Sequence, residues 1–338
     1  LKAFAMWSVF PVIRETLHGV CASSPWEARL GREEFGREVH SFAAAFKESD
    51  VVELLGISNH LVFNSFNQLE RFRPLWEQET GRVSIGLRVN PEHSEGHTAI
   101  YDPCAPKSRL GIPRAAFDGR SLNGVEGLHF HTLCEQLFEP LERTARAFEE
   151  KFGEFLPQMK WLNLGGGHHI TREGYDIDRL VELISYFRQK YDIEVYLEPG
   201  EAIAIGTGIL VSEVLDVVHN EMDIAILDVS ATCHMPDILE MPYRPGISNG
   251  FDPGDKPHTY RLAGPSCLAG DVIGDWSFEQ PLEPGNRLAF EDMSHYTMVK
   301  TTTFNGIQHP AICTWEPETG ALKVIRRFGY EDFRNRLS

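Results

Sequence analysis

Over roughly the first 200 residues, short runs rich in β-branched and aromatic residues alternate with stretches of helical periodicity, a pattern that few folds can satisfy. The runs fall at 1–4, 19–24, 39–44, 60–65, 84–90, 127–132, 161–167 and 195–200, and most are followed by an amphipathic pattern such as 140–152 or 176–191. Strands joined through helices run parallel, because a long crossover returns the chain to the same end of the sheet. Eight such units close into a (β/α)8 barrel of the TIM type. After residue 203 the texture changes. Candidate strands at 209–219, 224–228, 260–263, 287–290 and 322–327 have few long helices between them, and the Pro/Gly-rich stretch 241–257 reads as a loop. The expected class is therefore α/β, with a barrel over 1–203 and an all-β domain over 204–338. A length of 338 residues agrees, since single cores stop growing near ~250–300 residues.

Charge narrows the partners. Forty-nine acidic against thirty-two basic residues give a net charge of −17, which repels nucleic acid and anionic membranes and favours a cationic small molecule. The six cysteines are scattered without a C-x-x-C pair, as suits reduced thiols in a cytoplasm. No apolar run reaches the ~18 residues a membrane span needs. The first residue is Leu1, already within a strand-like run, so further residues are expected upstream. A protein beginning at Leu1 would hold its first strand at a frayed end and is expected to fold poorly.

In a barrel of this kind, reacting groups gather at the C-terminal ends of the strands. Lys2 ends the first run, His129 and His131 the sixth, Gly165-Gly166-Gly167-His168-His169 the seventh, and Glu198-Pro199-Gly200-Glu201 the eighth. Each has a plain reading and a chemical one. Three glycines make a tight turn, or let backbone N–H groups approach an anion; the G-x-G-x-x-G spacing of a dinucleotide site is absent. His129 and His131 alternate along a strand and could bind a metal with His168 and His169, but a lysine and a glutamate stand where further ligands would be wanted. Glu198 is a salt-bridged structural acid or a carboxylate that holds a proton on a heterocyclic nitrogen. Further along, Gly264-Pro265-Ser266-Cys267-Leu268-Ala269-Gly270-Asp271 joins turn residues to a thiol and an acid, and Tyr296 follows Ser294-His295.

Together with Leu128–Gln136 (LHFHTLCEQ), 231–237 (ATCHMPD) and 267–275 (CLAGDVIGD), these residues resemble the fold type III pyridoxal-phosphate enzymes, the group of alanine racemase and the ornithine, diaminopimelate and arginine decarboxylases. The resemblance covers essentially the whole chain, and within the group is similar to the carboxynorspermidine (carboxyspermidine) decarboxylases. It implies pyridoxal 5'-phosphate as cofactor, Lys2 as its Schiff-base lysine, His131 stacked on its ring, Gly165, Gly166 and Gly167 at its phosphate with Tyr296, and Glu198 at the pyridine nitrogen. It implies a homodimer with shared sites, in which Cys267 of one subunit enters the other's site and returns a proton to the α-carbon. No metal is implied. Two departures bear on substrate. Glu201 stands where relatives carry an arginine near the phosphate, and Leu268 follows Cys267 where ornithine and diaminopimelate enzymes have an acid. A short diamino acid loses its anchor, whereas a long polyamine carboxylate can meet Glu240, Asp237, Asp271 and Glu201 through charge-assisted hydrogen bonds. The expected reaction is decarboxylation of carboxynorspermidine or carboxyspermidine in polyamine synthesis. The alternatives are a diaminopimelate-type or other basic-amino-acid decarboxylase and an inactive regulatory homologue.

Overall fold

Among the described residues, seven short parallel strands form one sheet in sequence order: β1 (Gly19–Ala22), β2 (Glu38–Phe42), β3 (His60–Phe63), β4 (Ser84–Arg88), β5 (Gly127–His129), β6 (Trp161–Asn163) and β7 (Glu194–Tyr196). The computed structural model describes residues 1–96 and 98–338. They divide into two units, Leu1–Ile203 and Ala204–Ser338. In the first unit β3 is buried at every position, as parallel strands covered on both faces must be. The helix Phe138–Phe152 places Phe138, Leu141, Ala145, Phe148 and Phe152 on one buried stripe at spacings of three and four. The helix Ile177–Tyr191 is capped by Asp176, whose carboxylate accepts the Arg179 N–H at 3.0 Å, and stops at Asp192 in the left-handed conformation.

The expected first strand needs correction. Residues 1–4 form no ladder; a hydrogen bond from the Leu1 amine to the Cys21 carbonyl at 2.6 Å ties their start to β1. Ala3 is nevertheless buried, and a Cβ on Gly200, beyond β7, would lie 3.3 Å from it. The run thus lies between the first and last strands of the curled sheet. Inside the barrel, the Trp161 indole lies flat against two neighbouring strands. A Cβ at Gly86 or Gly127 would come within 2.3 or 2.0 Å of its ring. Its Nε1–H donates to Ser84 Oγ at 2.8 Å.

The second unit holds a five-stranded sheet in the order β11-β10-β9-β8-β12, built from β8 (Leu210–Asn220), β9 (Met222–Leu227), β10 (His258–Ala263), β11 (Val272–Phe278) and β12 (Arg287–Phe290). Only the β9–β10 pair is parallel among these described ladders. A separate hairpin joins β13 (Ile312–Glu316) to β14 (Ala321–Arg326). Neither β11 nor β13 is legible in the sequence. In β11 Gly274 and Asp275 interrupt the apolar alternation, and the glycine is needed because a Cβ there would sit 2.9 Å from the Trp276 ring. Short helices at Ala231–His234, Asp237–Glu240, Tyr296–Val299 and Tyr330–Arg334 qualify the all-β expectation.

Candidate active site

Beyond its strands, the first unit brings Lys2, His129, His131, the glycine triplet and Glu198 into one electrostatic neighbourhood. Glu198 follows β7, and its Oε2 lies 2.9 Å from Nε2 of His129, the last residue of β5. The Cys21 thiol of β1 also donates to it. Burial alone would raise the Glu198 pKa. The electrostatic pull and hydrogen bond of the His129 ring, with His131 and Cys21, outweigh it and hold the carboxyl well below the usual carboxylate range. The group is an anion at neutral pH in a buried site. Burial and the same carboxylate push the Cys21 thiol well above its ordinary value, so it stays a donor.

Although its side chain reaches the surface, Lys2 has its pKa lowered by desolvation among its packed surroundings; Glu198 opposes this and Arg88 adds to it. A depressed amine is the state a nucleophilic lysine needs. His131 accepts the Gly166 N–H on Nδ1 at 2.9 Å, and burial, Lys2 and Arg88 lower its pKa well below the usual histidine value. It is therefore a neutral imidazole that carries its proton on Nε2.

Side chains are excluded from the glycine triplet. A Cβ on Gly165 would lie 2.3 Å from the Phe130 carbonyl oxygen, on Gly166 2.0 Å from that of Glu198, and on Gly167 1.8 Å from that of Leu133. Gly165 and Gly167 also adopt φ of 73° and 78°. The Gly165 N–H donates to Asn163 Oδ1 at 2.8 Å and the Gly166 N–H to His131, so an anion-binding role rests on the Gly167 end of the loop. His168 Nδ1 lies 2.7 Å from the Tyr175 hydroxyl, and His169 Nε2 lies 3.2 Å from Glu201 Oε2. Glu201 therefore sits beside the glycine loop and is paired with a histidine. These pairings give the four histidines of the metal reading other work, and no cluster of three or more His, Cys, Asp or Glu suited to a metal occurs among the described residues.

Sequence reasoning passed over Arg88. It closes β4, is 5 % exposed, donates to the His131 carbonyl at 2.7 Å and lies 4.6 Å from the Phe42 ring centre. Burial lowers its pKa to about 10, so it keeps its charge. Its place at the end of a strand was the available signal. Cys21 and the partner role of His129 were missed because they depend on which strands become neighbours.

The other expected residues lie in the second unit, in local groups of their own. Asp271 is 3 % exposed and accepts from Ser230 Oγ at 2.8 Å, the Ser266 N–H at 3.2 Å and the Thr232 N–H at 3.3 Å. A Cβ on Gly264 would strike its carboxylate. With its oxygens engaged by the chain, Asp271 pins the turn that presents Cys267. Cys267 is exposed, its N–H held by Asn305 Oδ1 at 2.7 Å. Asp237 and Glu240 both receive Lys300 Nζ at 2.5 Å, so this acidic pair already holds one ammonium. Tyr296 opens a short helix and is half-buried.

The model of the pyridoxal-dependent decarboxylase C-terminal sheet domain matches residues 99–294. A carboxyaminopropylagmatine decarboxylase from Synechocystis is 48% identical over 100% of this chain and 87% of its own length. The chain belongs to the pyridoxal-dependent decarboxylases. A carboxynorspermidine/carboxyspermidine decarboxylase of Campylobacter jejuni is similar to this decarboxylase at 42% identity, over 98% of the chain and 89% of the relative. The crystal structure of carboxynorspermidine decarboxylase from the same species, complexed with norspermidine, matches with a TM-score of 0.90 at 42% identity, covering 99% of this chain and 90% of that one.

The decarboxylase uses pyridoxal phosphate, and the site fits it. A depressed lysine, a buried anionic acid, a neutral flat imidazole and a loop with no room for side chains stand together. No helix is long and apolar enough to cross a membrane among the described residues.

Proposed function

We propose that this decarboxylase removes the α-carboxylate of a long cationic amino acid, converting carboxynorspermidine to norspermidine and carboxyspermidine to spermidine in polyamine biosynthesis. The observation that carries the reading is the full-length likeness, at 42% identity, to a carboxynorspermidine/carboxyspermidine decarboxylase. Leu268 in place of an acid and the net charge of −17 support it, since they disfavour a short diamino acid and attract a polycation.

Pyridoxal phosphate, when bound, supplies the electron sink for the pair left on Cα as carbon dioxide departs. The chain's residues supply the rest. Lys2 offers the amine that carries the cofactor. Glu198, fixed by His129 and Cys21, stabilises a proton on the pyridine nitrogen. His131 presents its flat face to the ring, and the Gly167 end of the glycine loop with Tyr296 holds the phosphate. Glu201, Asp237 and Glu240 favour the cationic end of the substrate. Cys267, presented by the turn that Asp271 pins, gives a proton to Cα in the site of a second copy, which makes a homodimer the working unit. Free, scattered thiols suit a cytoplasmic enzyme.

A second reading has its own support, because the Synechocystis relative, at 48% identity, is named for carboxyaminopropylagmatine. An agmatine derivative ends in a guanidinium, which two carboxylates can read bidentately where an ammonium is read as a point charge. The test is carbon dioxide release by the protein with saturating pyridoxal phosphate on these three substrates and on diaminopimelate. A kcat/KM preference for the first two supports the main reading, and preference for the guanidinium compound supports the second. Turnover of diaminopimelate alone, or of none, overturns both. Glu240→Gln is expected to raise KM for the polyamine substrate, and an unchanged KM removes that residue from the site.

A further inference from the structure

Behind Glu198 the barrel contains histidines that do not touch the reacting groups themselves. His129 is 2 % exposed and spends Nε2 on Glu198, while its Nδ1 is buried without a hydrogen-bond partner among the described residues. A buried ring nitrogen left in that state costs roughly 1–3 kcal/mol, so such atoms normally meet a partner or a water. His129 lines an internal cavity about the size of one water molecule, together with His40, His60, Asn163 and Glu198. On the far side of the cavity, the rings of His40 and His60 stack with centres 3.8 Å apart and planes 14° apart, and His60 stacks in turn on Trp161 at 4.6 Å. His40 Nε2 lies 2.9 Å from Glu38 Oε2, and the Glu38 side chain is 42% exposed.

We propose that this cavity is a water site, and that its water joins His129 Nδ1 to the His40–His60 pair, completing a hydrogen-bonded relay through the barrel core from the Glu38 carboxylate to Glu198. The proposal rests on the assignment of Glu198 to the cofactor's ring nitrogen. Its logic is one of tautomers. In the tautomer that donates from Nε2 to Glu198, His129 accepts at Nδ1, and the water is the donor that fixes this form. A proton taken up at Glu38 can pass by successive hydrogen-bond exchanges to His129 and leave by the same route. The ionisation of the sealed Glu198 pair then equilibrates with solvent at the opposite mouth of the barrel even while substrate closes the reacting end. His129 acts through Glu198 and is a positioning residue; His40 and His60 support it from further back.

The test is 15N NMR of the histidine side chains in the cofactor-free protein, for the wild type, His40→Phe and His60→Phe. Phenylalanine keeps a flat ring in the stack and removes the nitrogens. The wild type is expected to show His129 protonated on Nε2 with Nδ1 accepting a hydrogen bond, and either substitution to shift the Nδ1 signal. His129 signals that stay in place in both folded variants overturn the relay, as does a wild-type His129 protonated on Nδ1 alone. Should a variant fail to fold, a high-resolution crystal structure of the wild type decides: a water within hydrogen-bond distance of His129 Nδ1 supports the relay, and a dry cavity overturns it. With the cofactor bound, kcat in His60→Phe is expected to fall ~10-fold with KM unchanged, the range seen when groups behind a liganding residue are lost. Because the first readout uses no cofactor, a wild-type protein that fails to bind pyridoxal phosphate would count against the proposed function and not against the relay.

Discussion

Glutamine at position 198 separates the charge of the buried acid from its shape. The amide is nearly isosteric, so its oxygen can still accept the His129 Nε2–H at the present 2.9 Å, while its NH2 replaces the oxygen available to the Cys21 thiol. What is lost is the negative charge. For folding the two consequences oppose each other. A charge-assisted hydrogen bond worth ~1.5–3 kcal/mol becomes a neutral one of ~0.5–1.5, and the desolvation of a largely buried anion is removed at the same time. Stability of the cofactor-free protein should therefore change by no more than about 2 kcal/mol in equilibrium urea unfolding. For catalysis nothing compensates in the proposed role, in which Glu198 is the anion that keeps the ring nitrogen protonated. Removing one preorganised electrostatic partner commonly lowers kcat by ~10²–10³, or about 2.7–4 kcal/mol. The assay is carbon dioxide release at saturating pyridoxal phosphate, with cofactor binding followed separately by absorption. A Glu198→Gln enzyme that binds cofactor and keeps kcat within about threefold of wild type would refute the electrostatic role.

Gly167→Ala should lose cofactor affinity and melt at a lower temperature, because its Cβ would lie 1.8 Å from the Leu133 carbonyl oxygen at a φ of 78°; wild-type values for both would contradict the geometry. Asp271→Asn places an NH2 toward donors that the carboxylate now accepts, and should cost about 1–3 kcal/mol in urea unfolding while lowering kcat through the Cys267 turn. Phe148→Ala, at a fully buried position, should cost ~3–5 kcal/mol. The buried His60 gives a pH signature. Its folded pKa is lowered to about 3, mainly by burial and then by His40, so between that value and the unfolded value near ~6.5 the unfolded chain binds the extra proton. Stability from this group is present above about pH 6.5 and falls by ~1.4 kcal/mol per pH unit below it, and His60→Phe should flatten that slope in unfolding measured from pH 7 to 4.

The parallel half of the fold is legible because its strands are buried runs set apart by helical stripes, as in the strand His60–Phe63 and the helix Phe138–Phe152. Residues 1–4 carry a strand-like composition yet join no ladder, and composition alone cannot reveal how many ladder partners a run will find. The strand Val272–Phe278 was hidden because Gly274 serves the Trp276 ring, a neighbour two residues on whose direction only the folded sheet sets. At the site, the strand-end rule singled out Lys2, His131 and Glu198, which the fold brings near one another. The rule could not disclose that His129 and Cys21 donate to Glu198, nor that Asp271 faces inward, since each depends on contacts between segments far apart in sequence. Asp237 and Glu240 read as a pair awaiting a cation; the lysine that meets them, Lys300, is about sixty residues away.

The indole of Trp161 against Gly86 and Gly127 ties three positions on adjacent strands into one evolutionary unit. A side chain gained at either glycine has nowhere to go while the tryptophan remains, and a tryptophan lost first leaves a hole that the glycines cannot fill. Neither order of single steps is smooth, so descendants of this sequence should either keep all three residues or replace them as a set. Divergence in this barrel is thereby directed away from its floor and toward the loops that choose the substrate.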